Sequence, residues 1–256
     1  MDFTYGQAVL IGFIQGITEL FPISSLGHAI LVPAWIGGSF GEFISEENEA
    51  YLLITIAMHL ASSVALFLVF RKRWIRLISG TVQAVVSKNF QSTSFRVLSY
   101  IVIATIPVGV LGLAFGDYFQ SIFGKPQYSA LFLTLNGLLL ITAERLSRRD
   151  ITAELQDSDA EIDRRVSAKT AVAIGFGQSL ALFAGISRFG VTMSAGLLRK
   201  LNHSVASDFA FLLSLPVIVG ASIIKLPELF TTSANELLGQ ILLGSVISFI
   251  DTYISV

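Results

Sequence analysis

A carboxylate, two hydroxyls and an imidazole stand close together in the stretch QGITELFPISSLGH at 15–28: Glu19, Ser24, Ser25 and His28. Gln15 and Glu19 are four apart and share one face of a helix. Ser25 and His28 are three apart, and Ser24 and His28 four apart, so either hydroxyl can meet the imidazole as a nucleophile with its base. The alternative is structural: the serines cap a helix and His28 bonds a carbonyl. Glu19 weighs toward chemistry, because an acid inside an apolar stretch costs about 2.5–3.5 kcal/mol to insert in a membrane. Its natural partner is Arg188 in AGISRFGVT at 184–192. Arginine grips phosphate through paired donors. A half-helix starting there would aim free N–H groups at an anion, and Ser187 and Thr192 add hydroxyls. The competing reading is a structural Arg188–Glu19 ion pair.

Other polar residues point less clearly to chemistry. His59 reads as a packed, hydrogen-bonded histidine, and His203 and Asp208 as solvated or capping groups. Asn136 suits a bond between helices. Trp35 and Trp74 flank apolar runs as interface anchors. No nucleotide, haem or flavin motif occurs, and a chain without cysteine has neither disulfides nor thiolate metal sites.

These residues need elements that hold them inside a membrane. Hydrophobic residues make up 53% of the 256 and charged ones 14%, where soluble domains carry about 25% charged. The chain therefore reads as an all-α integral membrane protein. Its long apolar runs exclude a transmembrane barrel. A net charge of −1 leaves no footprint for nucleic acid. The N-terminus lacks the basic start of a signal peptide, so the first apolar stretch is expected to persist. Full spans are expected at 51–70, 97–115, 128–141, 206–224 and 237–253, two of them containing Pro107 and Pro216. Two further stretches, 7–35 and 170–198, carry polar groups at mid-length and read as re-entrant hairpins of two half-helices. Irregular backbone at that depth must be buried in protein or line a wet cavity.

Charge sets an expected topology. Of the 17 basic residues, fourteen fall in 71–96, 144–169 and 199–200, two (Lys125 and Lys225) in opposite loops, and Arg188 lies within the membrane. The alternation holds if both broken stretches return to the side they entered. The first hairpin then opens outside, the second inside, and the C-terminus lies inside.

The two broken stretches also align with each other. Residues 11–27 set over 174–190 match at seven of 17 positions, including Gln15/Gln178, Ser24/Ser187 and Gly27/Gly190. Three spans between the copies would invert the second. We read one membrane domain over 1–256, with repeat one at 1–146 and inverted repeat two at 168–256. The two are joined by a cytoplasmic loop, 147–167, with some local helix. Inverted repeats with broken helices bind ligands near the midplane. That pattern also suits a membrane transporter or flippase for an anionic or prenyl-phosphate substrate, with Glu19 and His28 relaying protons.

The stretch 15–28 resembles the first signature of bacterial undecaprenyl-pyrophosphate phosphatases, and 184–192 resembles their second, PGxSRSxxT; the segment FAFLLSLPVIVGA (209–221) is similar too. The resemblance implies two re-entrant hairpins within inverted repeats in the bacterial inner membrane, with the active site facing the periplasm. It implies hydrolysis of undecaprenyl pyrophosphate to the monophosphate, recycling the carrier for peptidoglycan and conferring bacitracin resistance. It implies a divalent cation, Mg²⁺ or Ca²⁺. Glu19 would serve metal and catalysis with Gln15 at the motif's first position. Ser25 would be the nucleophile beside Ser24, and His28 the base and acid. Ser187, Arg188 and Thr192 would grip the pyrophosphate. The partners implied are the prenyl-pyrophosphate lipid and the bilayer, and a homodimer stays open. Three departures bear on this reading. Ala184 replaces a proline and should loosen the turn. Phe189 replaces a serine and removes a phosphate-facing hydroxyl. The chain reaches Val256 with about five full spans, where the family has one more helix.

Overall fold

The computed structural model describes residues 3–44, 49–147, 158–230 and 233–255, and every regular element among them is helical. The first broken stretch forms α1 (Tyr5–Thr18) and α2 (Ser25–Ile36), followed by the short α3 (Gly38–Phe43). Then come α4 (Glu49–Val69), α5 (Arg71–Val86), α6 (Thr93–Ala114), the short α7 (Gly116–Ile122) and α8 (Pro126–Ser147). The connecting loop contains α9 (Ser158–Arg165); residues 148–157 of that loop, and 45–48 before α4, lie outside the described residues. The second broken stretch forms α10 (Ala168–Ser179), a 3-10 turn at Leu180–Leu182 and α11 (Arg188–Leu198). The last helices are α12 (His203–Lys225) and α13 (Leu238–Ser255).

Local sequence fixes where these helices start. Thr4 and Gln7 form a reciprocal capping box on α1. Ser24, Ser187 and Asn202 each turn a side-chain oxygen to the third backbone N–H of α2, α11 and α12. Pro22 does not open α2, which begins at Ser25; the proline sits in the turn before it. The arms α1, α2, α10 and α11 have 14, 12, 12 and 11 residues. At 1.5 Å per residue even the longest covers about 21 Å, short of the ~30 Å hydrocarbon core. Among the described residues four helices are long and apolar enough to cross a membrane, at Ala50–Val69, Thr93–Ala114, His203–Phe230 and Ala234–Ser255. The chain is thus a multi-pass membrane protein. The expected span at 128–141 lies in α8, which has 22 residues but is not one of those four. Asn136 interrupts its middle, and Glu144 and Arg145 stand near its end.

Close backbone approaches hold the hairpins in place. A Cβ on Gly12 would sit 2.3 Å from the Gly244 carbonyl oxygen, so α1 lies directly on α13; a Cβ on Gly175 would sit 2.4 Å from the Ala104 oxygen, so α10 lies on α6. Gly12 and Gly175 are 163 apart, the offset of the sequence repeat. The tips touch with the same reciprocity: Gly27 faces Gly185, and Gly190 faces Pro22.

At the end of the bundle where α4 stops and α6 starts, charge ties the elements together. Arg73 and Arg76 both bond the buried Asp159 of α9 at 2.7 Å, Arg73 also meets Asp208 of α12, and Arg96 pairs with Asp163 at 2.8 Å. Asp208 is therefore an ion-pair partner rather than a solvated group. Trp74 is 8% exposed and packs in an apolar cluster with Leu77, Val97 and Ile162, which corrects the expectation of an interface anchor, whereas Trp35 is 90% exposed.

Candidate active site

The two breaks meet around one small cavity of about 40 Å³. Its walls include Glu19, Ser24 and Ser25 from the first break, Ser187, Arg188 and Phe189 from the second, and His59 from α4. Ser25 is the first residue of α2 and Arg188 the first of α11. Two half-helix N-termini, each with a partial positive charge, therefore converge on the same space.

Glu19 organises the acid side. Gln15 Nε2 donates to its Oε2 at 2.8 Å, the contact expected from four-residue spacing, and Ser25 Oγ donates to the same oxygen at 2.6 Å. Ser25 Oγ also lies 3.2 Å from His59 Nε2, which is 3.4 Å from Glu19 Oε2. His59 Nδ1 is 2.7 Å from the Thr55 carbonyl oxygen and donates to it, which points Nε2 at Ser25. The Ser25 proton can turn from the carboxylate to the imidazole without moving a heavy atom.

Arg188 supplies the basic side. Its Nη1 lies 3.9 Å from Glu19 Oε1, too long for a hydrogen bond, and is buried without any hydrogen-bond partner among the described residues. A buried guanidinium nitrogen left so is costly unless something arrives to accept from it. A structural Arg188–Glu19 pair would close that distance.

One side chain joins the two breaks from outside the cavity. Asn136 of α8, 2% exposed, donates through Nδ2 to the Pro22 carbonyl at 2.9 Å and accepts the Ser187 N–H on Oδ1 at 3.0 Å. It is the interhelical bond expected of this residue, with both partners in the breaks themselves.

Several expected residues take other positions. His28 is not brought to Ser25. Its Nδ1 lies 2.8 Å from the Ser24 carbonyl oxygen, one turn back on its own helix, and it is absent from the cavity wall. The imidazole at the site is His59, which the sequence reading took for a packed histidine. A histidine in the middle of a span was itself the available signal. Ser24 lines the cavity while its Oγ caps α2, and its φ of +66° places a non-glycine residue in the left-handed region at the break. Ser187 likewise caps α11. Thr192 is 1% exposed, does not line the cavity, and its hydroxyl has no partner among the described residues. Around Ala184 the turn carries backbone bonds from Phe183 N–H to Leu180 and from Ile186 N–H to Phe183, of 3.2 and 3.1 Å. Phe189 lines the cavity with its ring 4.4 Å from that of Phe211.

Among the described residues no group of three or more His, Cys, Asp or Glu could hold a metal. Mg²⁺, however, often binds through one or two carboxylates plus substrate phosphates. Glu19 Oε1 has only the Arg188 nitrogen at 3.9 Å beside it among the described residues and fits that role once a phosphate is present.

The model of the family described as bacitracin resistance protein BacA matches residues 8–256. Undecaprenyl-diphosphatase 2 of Frankia alni is 38% identical over 308 residues, covering 100% of this chain and 90% of that protein. Undecaprenyl-diphosphatase of Mycolicibacterium paratuberculosis is 40% identical over 267 residues, covering 99% and 88%. Undecaprenyl-diphosphatase 2 of Burkholderia ambifaria is 36% identical over 248 residues, covering 97% and 84%.

Proposed function

The chain belongs to the bacitracin resistance protein BacA family, and on that premise we propose that it hydrolyses undecaprenyl pyrophosphate to undecaprenyl phosphate and phosphate. The observation that carries this reading is the partnerless Arg188 guanidinium nitrogen facing Ser25 and Glu19 across one cavity. The lipid carrier for cell-wall synthesis is thereby recycled, and bacitracin resistance follows from the family.

Ser25 Oγ attacks the terminal phosphorus. The bond from that phosphorus to the bridging oxygen breaks, and undecaprenyl phosphate leaves. The serine proton passes to His59 Nε2 and from there to the leaving phosphate. Glu19 holds the serine and stabilises the imidazolium. Water then attacks the phosphoserine and gives a proton to His59, which returns it to Ser25 Oγ as the P–O bond to the serine breaks and phosphate leaves. Arg188 and the two half-helix N-termini stabilise the negative charge on the transferring group, where most of the catalytic effect of phosphoryl transfer arises. Glu19, with the phosphate oxygens of the substrate, would hold a Mg²⁺ or Ca²⁺ whose charge offsets that of the pyrophosphate.

The reciprocal contacts Gly12–Gly244 with Gly175–Ala104, and Gly27–Gly185 with Gly190–Pro22, support the inverted-repeat reading. The bias of basic residues supports a site opening to the periplasm from the inner membrane. The test is phosphate release from undecaprenyl pyrophosphate by purified protein, with and without Mg²⁺ or Ca²⁺. Cation-dependent release, abolished in Ser25→Ala with loss of a trappable phosphoserine, is the expected result. Full activity in Ser25→Ala would rule out the covalent route.

A further inference from the structure

A second cavity, of about 100 Å³, touches the same His59 and Arg188 side chains. Apart from them its walls are mostly apolar: Leu26 of α2, Leu52 and Ile56 of α4, Ile218 and Ala221 of α12. Among the described residues one further polar group lines it without a bond, the hydroxyl of Ser222, which is 2% exposed. At Ala221 this channel meets a larger cleft of about 410 Å³ between α6, α7 and α12, within the range of small-molecule pockets. The cleft also reaches the break itself, since Leu182 lines the cleft and its neighbour Ala181 the reaction cavity.

Missing side chains make the cleft. Gly109, Gly112 and Gly116 lie three and four apart along α6 and the start of α7, on one face, with Gly220 on α12. A Cβ on Gly109, Gly116 or Gly220 would meet nothing within 4 Å. Gly12 and Gly175 differ in that their missing side chains let another backbone approach. In the cleft only Gly112 has a neighbour in that position among the described residues, the Leu182 side chain at 3.6 Å.

We propose that the channel and cleft form the path of the substrate's prenyl chain, from Arg188 past Ala221 into the α6–α12 cleft. This rests on the diphosphatase reading. Bulk lipid has no need of a path that ends on a guanidinium. An amphiphile with its pyrophosphate on Arg188 must pass its chain out beside that side chain. Apart from Thr105, Asp117, Gln120 and Lys225 the cleft walls are as apolar as lipid tails, so the path contributes orientation more than affinity. It aims the terminal phosphorus at Ser25, and the Ser222 hydroxyl can donate to the phosphate that stays on the lipid.

Phosphate release is measured from undecaprenyl, farnesyl and isopentenyl pyrophosphates with wild type, Ala221→Phe and Gly109→Leu. Both positions have room for a larger side chain at their exposed or open faces. The expected result is that kcat/KM falls about tenfold more for the two long chains than for the five-carbon one, as misorientation predicts. Equal falls on all three substrates, or no fall on any, would overturn the path. A farnesyl pyrophosphate with a diazirine at its far end should label peptides of α6 or α12 in wild type, and labelling confined to α8 or α13 would overturn it as well. If wild type releases phosphate from none of the three, the diphosphatase reading fails, and the labelling still decides where a prenyl chain lies.

Discussion

The two breaks share a backbone plan and divide the chemistry. In each, a short helix ends, a turn follows, and a serine caps a new half-helix whose first residue faces the cavity. That first residue is Ser25 in one copy and Arg188 in the other, at the repeat offset of 163. One break thus presents a nucleophile with its carboxylate, and the other presents fixed positive charge. A scaffold that converges two helix N-termini on one point favours an anion regardless of side chains. The side chains decide whether that anion is merely held or is also attacked.

If the division is real, the nucleophile's break should be the more sensitive. Ser25→Ala is expected to lower kcat by at least about 10³-fold, because nucleophile and base act as a unit. Arg188→Ala is expected to cost about 10²–10³-fold, the usual loss when one preorganised donor to a transition state is removed. Steady-state kinetics on purified variants decides. An Arg188→Ala variant that keeps its kcat and only raises KM would make the second break a binding device alone.

The next effect separates two histidines. His59→Gln is expected to lower kcat about 10²-fold or more, the range for a general base, while His28→Gln stays within about threefold, since among the described residues His28 bonds only the Ser24 carbonyl one turn back. The reverse order would return the base to His28 and remove His59 from the mechanism.

This pair also marks the limit of sequence reasoning here. The breaks were legible because polar groups interrupt apolar runs, and the Gln15–Glu19 contact followed from helical spacing. Short-range spacing equally suggested Ser25 with His28. It could not reveal that α4 brings His59 to the serine from 34 residues away, because that depends on how helices pack. Thr192 failed for a related reason. It follows Arg188 by one turn, yet α11 is packed against α8, α10 and α12, and the threonine is enclosed among them. Trp74 was misread because the packing of α5 on α6 encloses it.

Asn136 tests whether the two breaks must be held in register. Asn136→Ala leaves the Pro22 carbonyl and the Ser187 N–H unsatisfied at a buried site, about 1–3 kcal/mol each. A lower melting temperature in detergent is expected, with kcat down about tenfold and KM nearly unchanged, because the Ser25–Arg188 separation drifts while the binding groups remain. A stability loss with unchanged kcat would reduce Asn136 to a helix tie.

The smallest effect concerns the glutamines at the repeat offset. Gln15 donates to Glu19, whereas at the second break the position equivalent to Glu19 is Leu182. Gln178 accordingly has no partner for either side-chain polar atom among the described residues, at 1% exposure. Replacing such a group by an apolar one of similar shape is close to neutral or stabilising. Gln178→Leu is therefore expected to leave phosphate release within about twofold and to raise the melting temperature by about 2–4 °C, as ~1 kcal/mol does for a chain of this size. Gln15→Leu removes a donor from a buried carboxylate and is expected to lower activity about tenfold. Equal losses in the two variants would mean that Gln178 also serves a polar ligand, and that the chemistry is shared between the breaks more evenly than their side chains indicate.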